Sequence, residues 1–209
     1  MASKLNTGIP FRRTIGLCIC LPLIWIYVAS RFASPVSSEV DVIIATSLGE
    51  ITVRIDTLRA PVTASNFLRY VDEGLYNGGT FFRTVRLENQ PDDSLRIEVI
   101  QGGANREKRE QFFDAIELER TSSTGLLHLD GTISMARSGP DTATSSFFIC
   151  IENQPELDFG GMRNPDGQGF AAFGQVTRGM DVVRAIQMAP ADGQSIRVPV
   201  VIQKTRRID

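Results

Sequence analysis

Two polar side chains lie among apolar neighbours and carry chemistry that a binding or catalytic site can use. Arg83 closes the run GTFFR, and Gln101 precedes two glycines in the run VIQGG. An arginine keeps its charge at every physiological pH and presents its N–H donors in a planar fork. Arg83 therefore offers a fixed cationic hydrogen-bond donor, which is not a nucleophile but can stabilise a lone pair or a developing charge.

Nucleophilic and metal-dependent chemistry have little support in the sequence. His128 is the single histidine, and Cys150 is the only cysteine after residue 20. No serine or cysteine has the local pattern of an activated nucleophile, and no second histidine or cysteine offers a metal pair. We interpret His128 as structural and Cys150 as a small buried residue, and we predict no metal and no cofactor. Residues 164–169, NPDGQG, are predicted to form a turn because they lack the alternating ligands of a calcium loop.

A third stretch, residues 131–151, has the pattern of a strand, a tight loop and a second strand. Its first part is a short apolar run bounded by Gly131, and its last part, FFICI, is apolar throughout. The SGPD segment between them has the residue types that favour a turn. Taken with the runs that contain Arg83 and Gln101, the SMARSGP and SSFFI segments resemble the cyclophilin family of peptidyl-prolyl cis-trans isomerases, over residues 40–206.

The resemblance implies a mainly β fold, a closed eight-stranded antiparallel barrel with two capping helices. It matches Arg83 to the catalytic arginine and Gln101 to the groove glutamine that orients this arginine and the substrate carbonyl. The implied partner is a proline-containing polypeptide. The other matched positions are Phe148 and Leu157 in the proline pocket, Val99 on its floor, Phe81 behind the arginine, Ala136 and Arg137 in the segment that pairs with the peptide, and Phe82 and Phe170 where the family often has histidine.

The reaction that the family catalyses needs little more than these residue types. Rotation about the Xaa-Pro bond is opposed by a barrier of about 20 kcal/mol, because twisting the C–N bond destroys amide resonance. In the twisted state the nitrogen regains its lone pair and becomes a better hydrogen-bond acceptor. A cationic donor aimed at this nitrogen, beside an apolar slot for the proline ring, binds the transition state more tightly than either ground state.

Several residues depart from the family pattern and leave a second function open. Besides Phe82 and Phe170, Glu98 stands where a pocket phenylalanine is usual, Ser146 replaces a glutamine, and Glu156 replaces an aromatic residue. The two phenylalanines can preserve shape, whereas the other three residues are expected to make the pocket more polar. The alternative to an active isomerase is a cyclophilin-fold peptide-binding or assembly module with weak or no catalysis. The absence of the aromatic residue at position 156 argues against strong binding of the cyclosporin drug class.

The remaining pattern predicts about eight strands and two helices. Leu48 and Gly49 supply a hairpin turn between two alternating runs, and sheets of this kind avoid open edges by closing into a barrel. Compared with the spacing that is usual in the cyclophilin family, residues 86–97 contain an insertion, which should lie beside the groove. The predicted helices are residues 61–74, with Val62, Phe67, Tyr70 and Val71 inward, and 177–186, with Val182, Val183 and Ile186 inward. The predicted strands are residues 40–46, 50–56, 80–85, 99–103, 132–136, 147–151, 170–176 and 199–205, with a short one at 117–119.

The N-terminal part of the chain has a different composition. Lys4, Arg12 and Arg13 precede an uncharged apolar run, residues 14–30, which small residues follow. This pattern is typical of a secretory signal, although an uncleaved membrane anchor or a buried helix are the alternatives. The predicted division is residues 1–38 as signal or anchor plus linker, and residues 39–209 as the isomerase domain.

Composition and charge restrict the partners. The 209 residues carry a formal net charge of −2, so there is no basic excess to bind a phosphate backbone, and nucleic acid is not an expected partner. We expect a monomer that works in an exported location, the periplasm or a secretory lumen, with membrane attachment through residues 14–30 as the alternative to a cleaved signal.

Overall fold

The apolar runs of the sequence form the strands of one continuous sheet in a computed structural model, which describes residues 39–90 and 95–208. The strands are β1 Glu39–Thr46, β2 Gly49–Asp56, β3 Thr80–Val85, β4 Val99–Gly103, β5 Thr132–Met135, β6 Phe147–Cys150, β7 Ala171–Arg178, β8 Ala191–Asp192 and β9 Ser195–Arg207. The helices are α1 Pro61–Asp72, α2 Thr121–Thr124 and α3 Met180–Gln187. Short 3₁₀ segments occur at Leu87–Asn89, Arg106–Gln111 and Pro155–Leu157.

Eight of these strands close into a barrel. Their order is β1-β2-β7-β5-β6-β4-β3-β9, and β9 pairs back onto β1, so that Ile44 lies opposite Thr205 and Ala45 opposite Lys204. Every pairing is antiparallel. Closure satisfies the backbone hydrogen bonds that an edge strand would leave open. The predicted eight-stranded antiparallel barrel is therefore confirmed, and the short β8, which only forms a hairpin with β9, lies outside the ring.

Aromatic side chains fill the centre of the core. The ring of Phe67, from α1, lies 5.2 Å from Tyr76, 5.6 Å from Phe147 and 5.2 Å from Phe173, measured between ring centroids. All four side chains are almost completely buried. Edge-to-face and tilted ring pairs of this kind stabilise a core by about 0.5–1.5 kcal/mol each beyond the area that they bury. The helix is thereby fixed against strands from distant parts of the barrel.

Helix α1 begins and ends as its sequence indicates. Pro61 occupies the first turn, where its missing N–H costs no hydrogen bond. Gly74 has a φ of +61°, which a residue with a side chain rarely adopts, and it turns the chain beyond the helix end. The predicted inward position of Val62 is wrong, since this residue is 40% exposed, and Thr63, Phe67 and Tyr70 carry the buried face instead.

Helix α3 begins three residues later than predicted, because β7 continues to Arg178. Gly179 then turns the chain with a φ of +91°, and a Cβ atom at this position would lie 2.3 Å from the carbonyl oxygen of Glu50. Val183 and Ile186 are buried as predicted, and the partly buried Val182 packs against the core. The close approach to β2 explains why glycine stands at the start of this helix.

Two other sequence-based predictions are wrong. Residues 117–119 form no strand, because the only pairing nearby is a bridge between Ile116 and Ala143, and the N–H of Leu118 donates to the Asp141 carboxylate instead. The last strand is longer than the predicted residues 199–205, since β9 supplies both the closure onto β1 and the pairing with β3.

The predicted signal or anchor, residues 1–38, lies outside the described residues. Across the described ranges, residues 39–90 and 95–208, none of the helices has the length and apolar content to cross a membrane.

Candidate active site

The guanidinium of Arg83 is held by two glutamine side chains. Arg83 on β3 lies opposite Gln101 on β4, and its Nη1 donates to Gln101 Oε1 over 2.9 Å. On its other side, Nε and Nη2 both donate to Gln194 Oε1, over 3.0 and 2.6 Å. Burial lowers the pKa of Arg83 from its ordinary value, and the charge of Arg163 lowers it further. The result is a half-buried cation in one fixed orientation, which remains charged at neutral pH.

Gln194 is a site residue that sequence reasoning missed. It lies in the turn between β8 and β9, 111 residues after Arg83. Its neighbours in the sequence, Asp192 and Gly193, are ordinary turn residues and give no sign of a role in a site. Only the pairing of β9 with β3 brings this turn to Arg83.

A cavity of about 210 Å³, lined by both apolar and polar side chains, lies beside the guanidinium. Two of its rings, Phe148 and Phe170, stand perpendicular with their centroids 5.3 Å apart. Its polar lining is Arg83, Gln101, Arg137, Arg163 and Asn164. Its apolar lining is Ile97, Val99, Ala136, Phe148, Leu157 and Phe170. A small apolar slot with a few convergent polar groups is what recognition of a compact apolar ring requires, and we refer to this cavity as the proline pocket.

The structure brings eight of the ten sequence-predicted site residues to the proline pocket and places two elsewhere. Phe81 is fully buried, with its ring 5.7 Å from that of Phe147, and therefore lies in the core behind Arg83. Phe82 lines a second, larger cavity, where the guanidinium carbon of Arg106 lies 5.4 Å from its ring centroid. Side chains alternate between the two faces of a strand, so these adjacent phenylalanines point in different directions.

The expectation that Glu98, Ser146 and Glu156 make the proline pocket polar is wrong. Ile97, which is 5% exposed, lines the pocket, whereas Glu98 Oε1 accepts a hydrogen bond from Gln187 Nε2 on α3 over 3.0 Å. Ser146 lines the second cavity. Glu156 Oε2 accepts from the backbone N–H of Met162 over 2.9 Å and so stabilises a loop. None of the three substituted side chains therefore lines the proline pocket.

Arg137 fastens a loop against the proline pocket. Its side chain is 1% exposed, and its Nη1 and Nη2 donate to the two carboxylate oxygens of Asp166 over 2.7 and 2.9 Å. It also donates to the carbonyl oxygen of Gly169, and its guanidinium carbon lies 5.0 Å from the ring centroid of Phe170. The hydrogen bonds from Arg137 lower the pKa of Asp166 to about 2.

The predicted turn at residues 164–169 is present, since the N–H of Gly167 donates to the carbonyl oxygen of Asn164. The carboxylate of Asp166 in this turn accepts hydrogen bonds from Arg137.

His128 supports the pocket wall from behind. It is 1% exposed, with Nδ1 2.7 Å from Asp158 Oδ1 and Nε2 2.9 Å from Ser134 Oγ. The imidazole is stacked on Phe148, with 5.9 Å between the centroids. These three residue types match a hydrolase triad only in composition, because Ser134 is fully buried and no substrate can reach it. His128 is thus a buried structural residue of the pocket wall.

Cys150 is not a reactive group of the site. Cys150 is fully buried, and burial raises the pKa of its thiol well above the ordinary value, so the reactive thiolate is disfavoured. Within residues 39–90 and 95–208, no three His, Cys, Asp or Glu side chains are grouped so that they could hold a metal ion.

The base of the insertion adjoins the proline pocket, as the sequence predicts. Gln90 Nε2 donates to the carbonyls of Arg86 and Ile97, and Gln90 Oε1 accepts from the N–H of Ile97 over 3.1 Å. Arg163, which borders the pocket, donates to the carbonyl oxygen of Leu95 over 2.9 Å. The polar tip of the insertion, residues 92–94, lies outside the described residues.

Comparison with solved structures supports the same architecture. A cyclophilin-type peptidyl-prolyl cis-trans isomerase of Cryptosporidium parvum superposes with a TM-score of 0.64 at 21% identity, covering 82% of this chain and 98% of that one. A second structure of the same protein, in the presence of the dipeptide Ala-Pro, gives a TM-score of 0.63 at 20% identity over 79% and 96% of the two chains. At this level of identity the likeness concerns the fold.

Sequence comparison shows the family. Residues 41–207 match the family described as "Cyclophilin type peptidyl-prolyl cis-trans isomerase/CLD". The peptidyl-prolyl cis-trans isomerase A of Dickeya dadantii is 34% identical, with 85% of this chain and 88% of the relative covered. A peptidyl-prolyl cis-trans isomerase of Acinetobacter baylyi is 37% identical, over 69% and 70% of the two chains. The chain therefore belongs to the cyclophilin-type peptidyl-prolyl cis-trans isomerases.

Proposed function

We propose that Arg83 catalyses the isomerisation by donating a hydrogen bond to the amide nitrogen as the Xaa-Pro bond twists, while the proline ring occupies the apolar pocket beside it. The observation that carries this assignment is the guanidinium held by Gln101 and Gln194 at the edge of the proline pocket. Because the donor is already oriented, little reorganisation is needed when the lone pair appears. Gln101 accepts from Arg83 through its Oε1 and borders the proline pocket, so its amide N–H groups can bind a substrate carbonyl.

The assignment of Arg83 predicts a large loss of turnover without a loss of fold. Arg83→Ala should lower kcat/KM on an Ala-Pro peptide about 100-fold, because the removal of one preorganised donor typically costs about 3 kcal/mol of transition-state stabilisation. A protease-coupled isomerisation assay measures the rate, and circular dichroism checks the fold. Arg178→Ala, at the end of β7, is the matched control. A wild-type rate for folded Arg83→Ala would show that another group is the donor.

The alternative function, a peptide-binding or assembly module with weak catalysis, drew its support from three polar substitutions. None of these side chains lines the proline pocket: Glu98 and Glu156 accept hydrogen bonds elsewhere, and Ser146 lines the second cavity. The support for the alternative is therefore lost, and we favour the active isomerase. The same assay on wild-type protein discriminates the two, since a module without turnover would bind the Ala-Pro peptide without accelerating its isomerisation.

We place the substrates among exported proteins whose folding the isomerase assists. The support is the sequence of residues 1–38, in which a basic start precedes the uncharged apolar residues 14–30. Cell fractionation should recover the protein outside the cytosol, and mass spectrometry of its N-terminus should find cleavage near residue 30. Recovery of the intact chain from the soluble cytosol would contradict the export proposal, whereas an intact chain in the membrane fraction would establish the anchor.

A further inference from the structure

The cavity that contains Phe82 is the larger of the two at this face and adjoins the proline pocket. It has a volume of about 640 Å³. The two cavities share their supporting strands: β3 contributes Phe82 to one and Arg83 to the other, and β4 contributes Gly103 to one and Gln101 to the other. Two residues along a strand span about 7 Å. An extended peptide with its proline in the proline pocket therefore places a residue about two positions away over the second cavity.

The floor of the second cavity is made of backbone and small side chains. Gly103 faces Ser146, whose Oγ lies 3.0 Å from the position that a Cβ atom of Gly103 would take. Phe82 and Phe112 add apolar walls. The second cavity has room for the methylene groups of a side chain, and no carboxylate that would repel an anion lines it.

Two arginines provide the charge at the cavity. Arg106 and Arg109 lie on either side of a kink at Lys108 in the segment Arg106–Gln111, and both are exposed and line the cavity. Among the described residues neither forms a salt bridge; Arg106 makes a cation–π contact with Phe82. Glu107 and Glu110 belong to the same segment but do not line the cavity.

The charge at this face contrasts with that of the whole chain. No Asp or Glu of the described residues lines either cavity, although the chain has a net charge of −2. Arg106 and Arg109 lie at one cavity and Arg83 at the other, where Arg137 is paired with Asp166. The peptide-binding face is thus locally positive on an acidic protein.

We propose that Arg106 and Arg109 make this isomerase selective for substrates that carry an Asp or Glu side chain about two residues from the proline. The inference rests on the proposed function, because it takes the proline pocket as the place of the proline. The carboxylate of the substrate lies between the two guanidinium groups, and its methylene groups pack on Phe82 and Phe112. Association of such substrates is also faster at low ionic strength, because the positive face attracts them.

A peptide series tests the selectivity directly. Peptides with Glu, Gln or Lys at each of the two positions before and the two positions after a proline are compared by kcat/KM, and their affinities are measured in parallel by titration calorimetry. At one of these positions, the peptide with Glu should have a kcat/KM roughly threefold to tenfold higher than the peptide with Gln at low salt, as expected for two partly exposed ion pairs. The peptide with Lys should have the lowest kcat/KM. The Glu-to-Gln ratio should fall towards one in 0.5 M NaCl, a condition in which screening shortens the electrostatic range to about 4 Å.

A double variant assigns the effect to its residues. Arg106→Gln/Arg109→Gln should abolish the Glu-to-Gln ratio, whereas Arg178→Gln/Arg206→Gln, which removes the same charge from exposed positions elsewhere, should retain it. Equal values for Glu and Gln at all four positions, or a ratio unchanged in the first variant, would overturn the inference. Turnover of the neutral peptide without a Glu preference would leave the isomerase function intact. A Glu preference in affinity without turnover would support the selectivity and contradict the catalytic assignment.

Discussion

At the scale of single residues, the proposed hydrogen-bond donor is an arginine whose guanidinium is oriented by hydrogen bonds on both sides. Arg83 donates to acceptors from two different parts of the chain, Gln101 on β4 and Gln194 in the β8–β9 turn. An arginine has many rotamers, and ordering such a side chain costs about 1.5–2 kcal/mol. The hydrogen bonds to the two glutamines offset this entropy cost when the protein folds. The arginine side chain is therefore already ordered when the substrate reacts.

Gln194 offers a residue-scale prediction. Gln194→Met keeps the shape of the side chain but removes the oxygen that accepts from Nε and Nη2 of Arg83. Since a hydrogen bond to a charged group contributes about 1.5–3 kcal/mol, and part of this orients the donor, kcat should fall about tenfold while KM changes little. Steady-state kinetics measure both constants. Gln203→Met, exposed on β9, is the control, and an unchanged kcat in Gln194→Met would mean that Gln101 alone orients the arginine.

At the scale of elements, a loop forms part of the pocket because one buried arginine holds it. Arg137 follows β5 and bonds Asp166 and Gly169, which precede Phe170 in the chain. The ring of Phe170 then completes the pocket wall beside Phe148. A segment that looks like an ordinary turn in the sequence thus positions an aromatic side chain of the site.

The pH dependence of this loop follows from the pKa of Asp166, which is lowered from 3.8 to about 2 chiefly by its hydrogen bonds from Arg137. A lowered carboxyl pKa means that the interaction is fully present above pH 3.8 and is lost as the pH falls through about 2. Carboxyl NMR should therefore find Asp166 titrating near pH 2 in the wild type and closer to 3.8 in Arg137→Gln. A midpoint near 3.8 in the wild type would show that the ion pair does not persist in solution.

At the scale of the whole molecule, the barrel depends on contact between the two ends of the described chain. β1 lies between β2 and the C-terminal half of β9, where Val42 pairs with Arg207 and Ile44 with Thr205. This pairing joins the first described strand to the last and removes the last open edge of the sheet. Pairings of such long range slow folding in general, because closing the long intervening loop costs entropy.

Closure gives a whole-molecule prediction about truncation. Residues 39–209 alone should fold, since the ring contains only strands from this range. Removal of residues 203–209 should instead expose the edge of β1 and cause aggregation or loss of cooperative unfolding. Thermal unfolding and size-exclusion chromatography of the two fragments measure this difference. Cooperative unfolding of the shorter fragment at the same temperature would mean that the β1–β9 pairing contributes little to stability.

The sequence by itself determined the fold class and the main chemical groups of the site. The alternating and unbroken apolar runs predicted the barrel strands, because strand formation depends on a local period of two and on local turn residues. The arginine between aromatic residues, the glutamine before two glycines and the SSFFI segment indicated the family. Each of these signals lies within a few consecutive residues, so no knowledge of tertiary contacts was needed to find Arg83, Gln101 or Phe148.

The tertiary structure alone decided which side chains meet. Gln194 reaches Arg83 only because β9 pairs with β3, and nothing in its local sequence distinguishes it from a turn residue. Ile97 lines the proline pocket and Glu98 bonds α3, because adjacent residues of the segment that leads into β4 point to different sides. His128 is fixed by partners 6 and 30 residues away. Register and long-range pairing are properties of the assembled barrel, and a single sequence read locally contains no direct record of them.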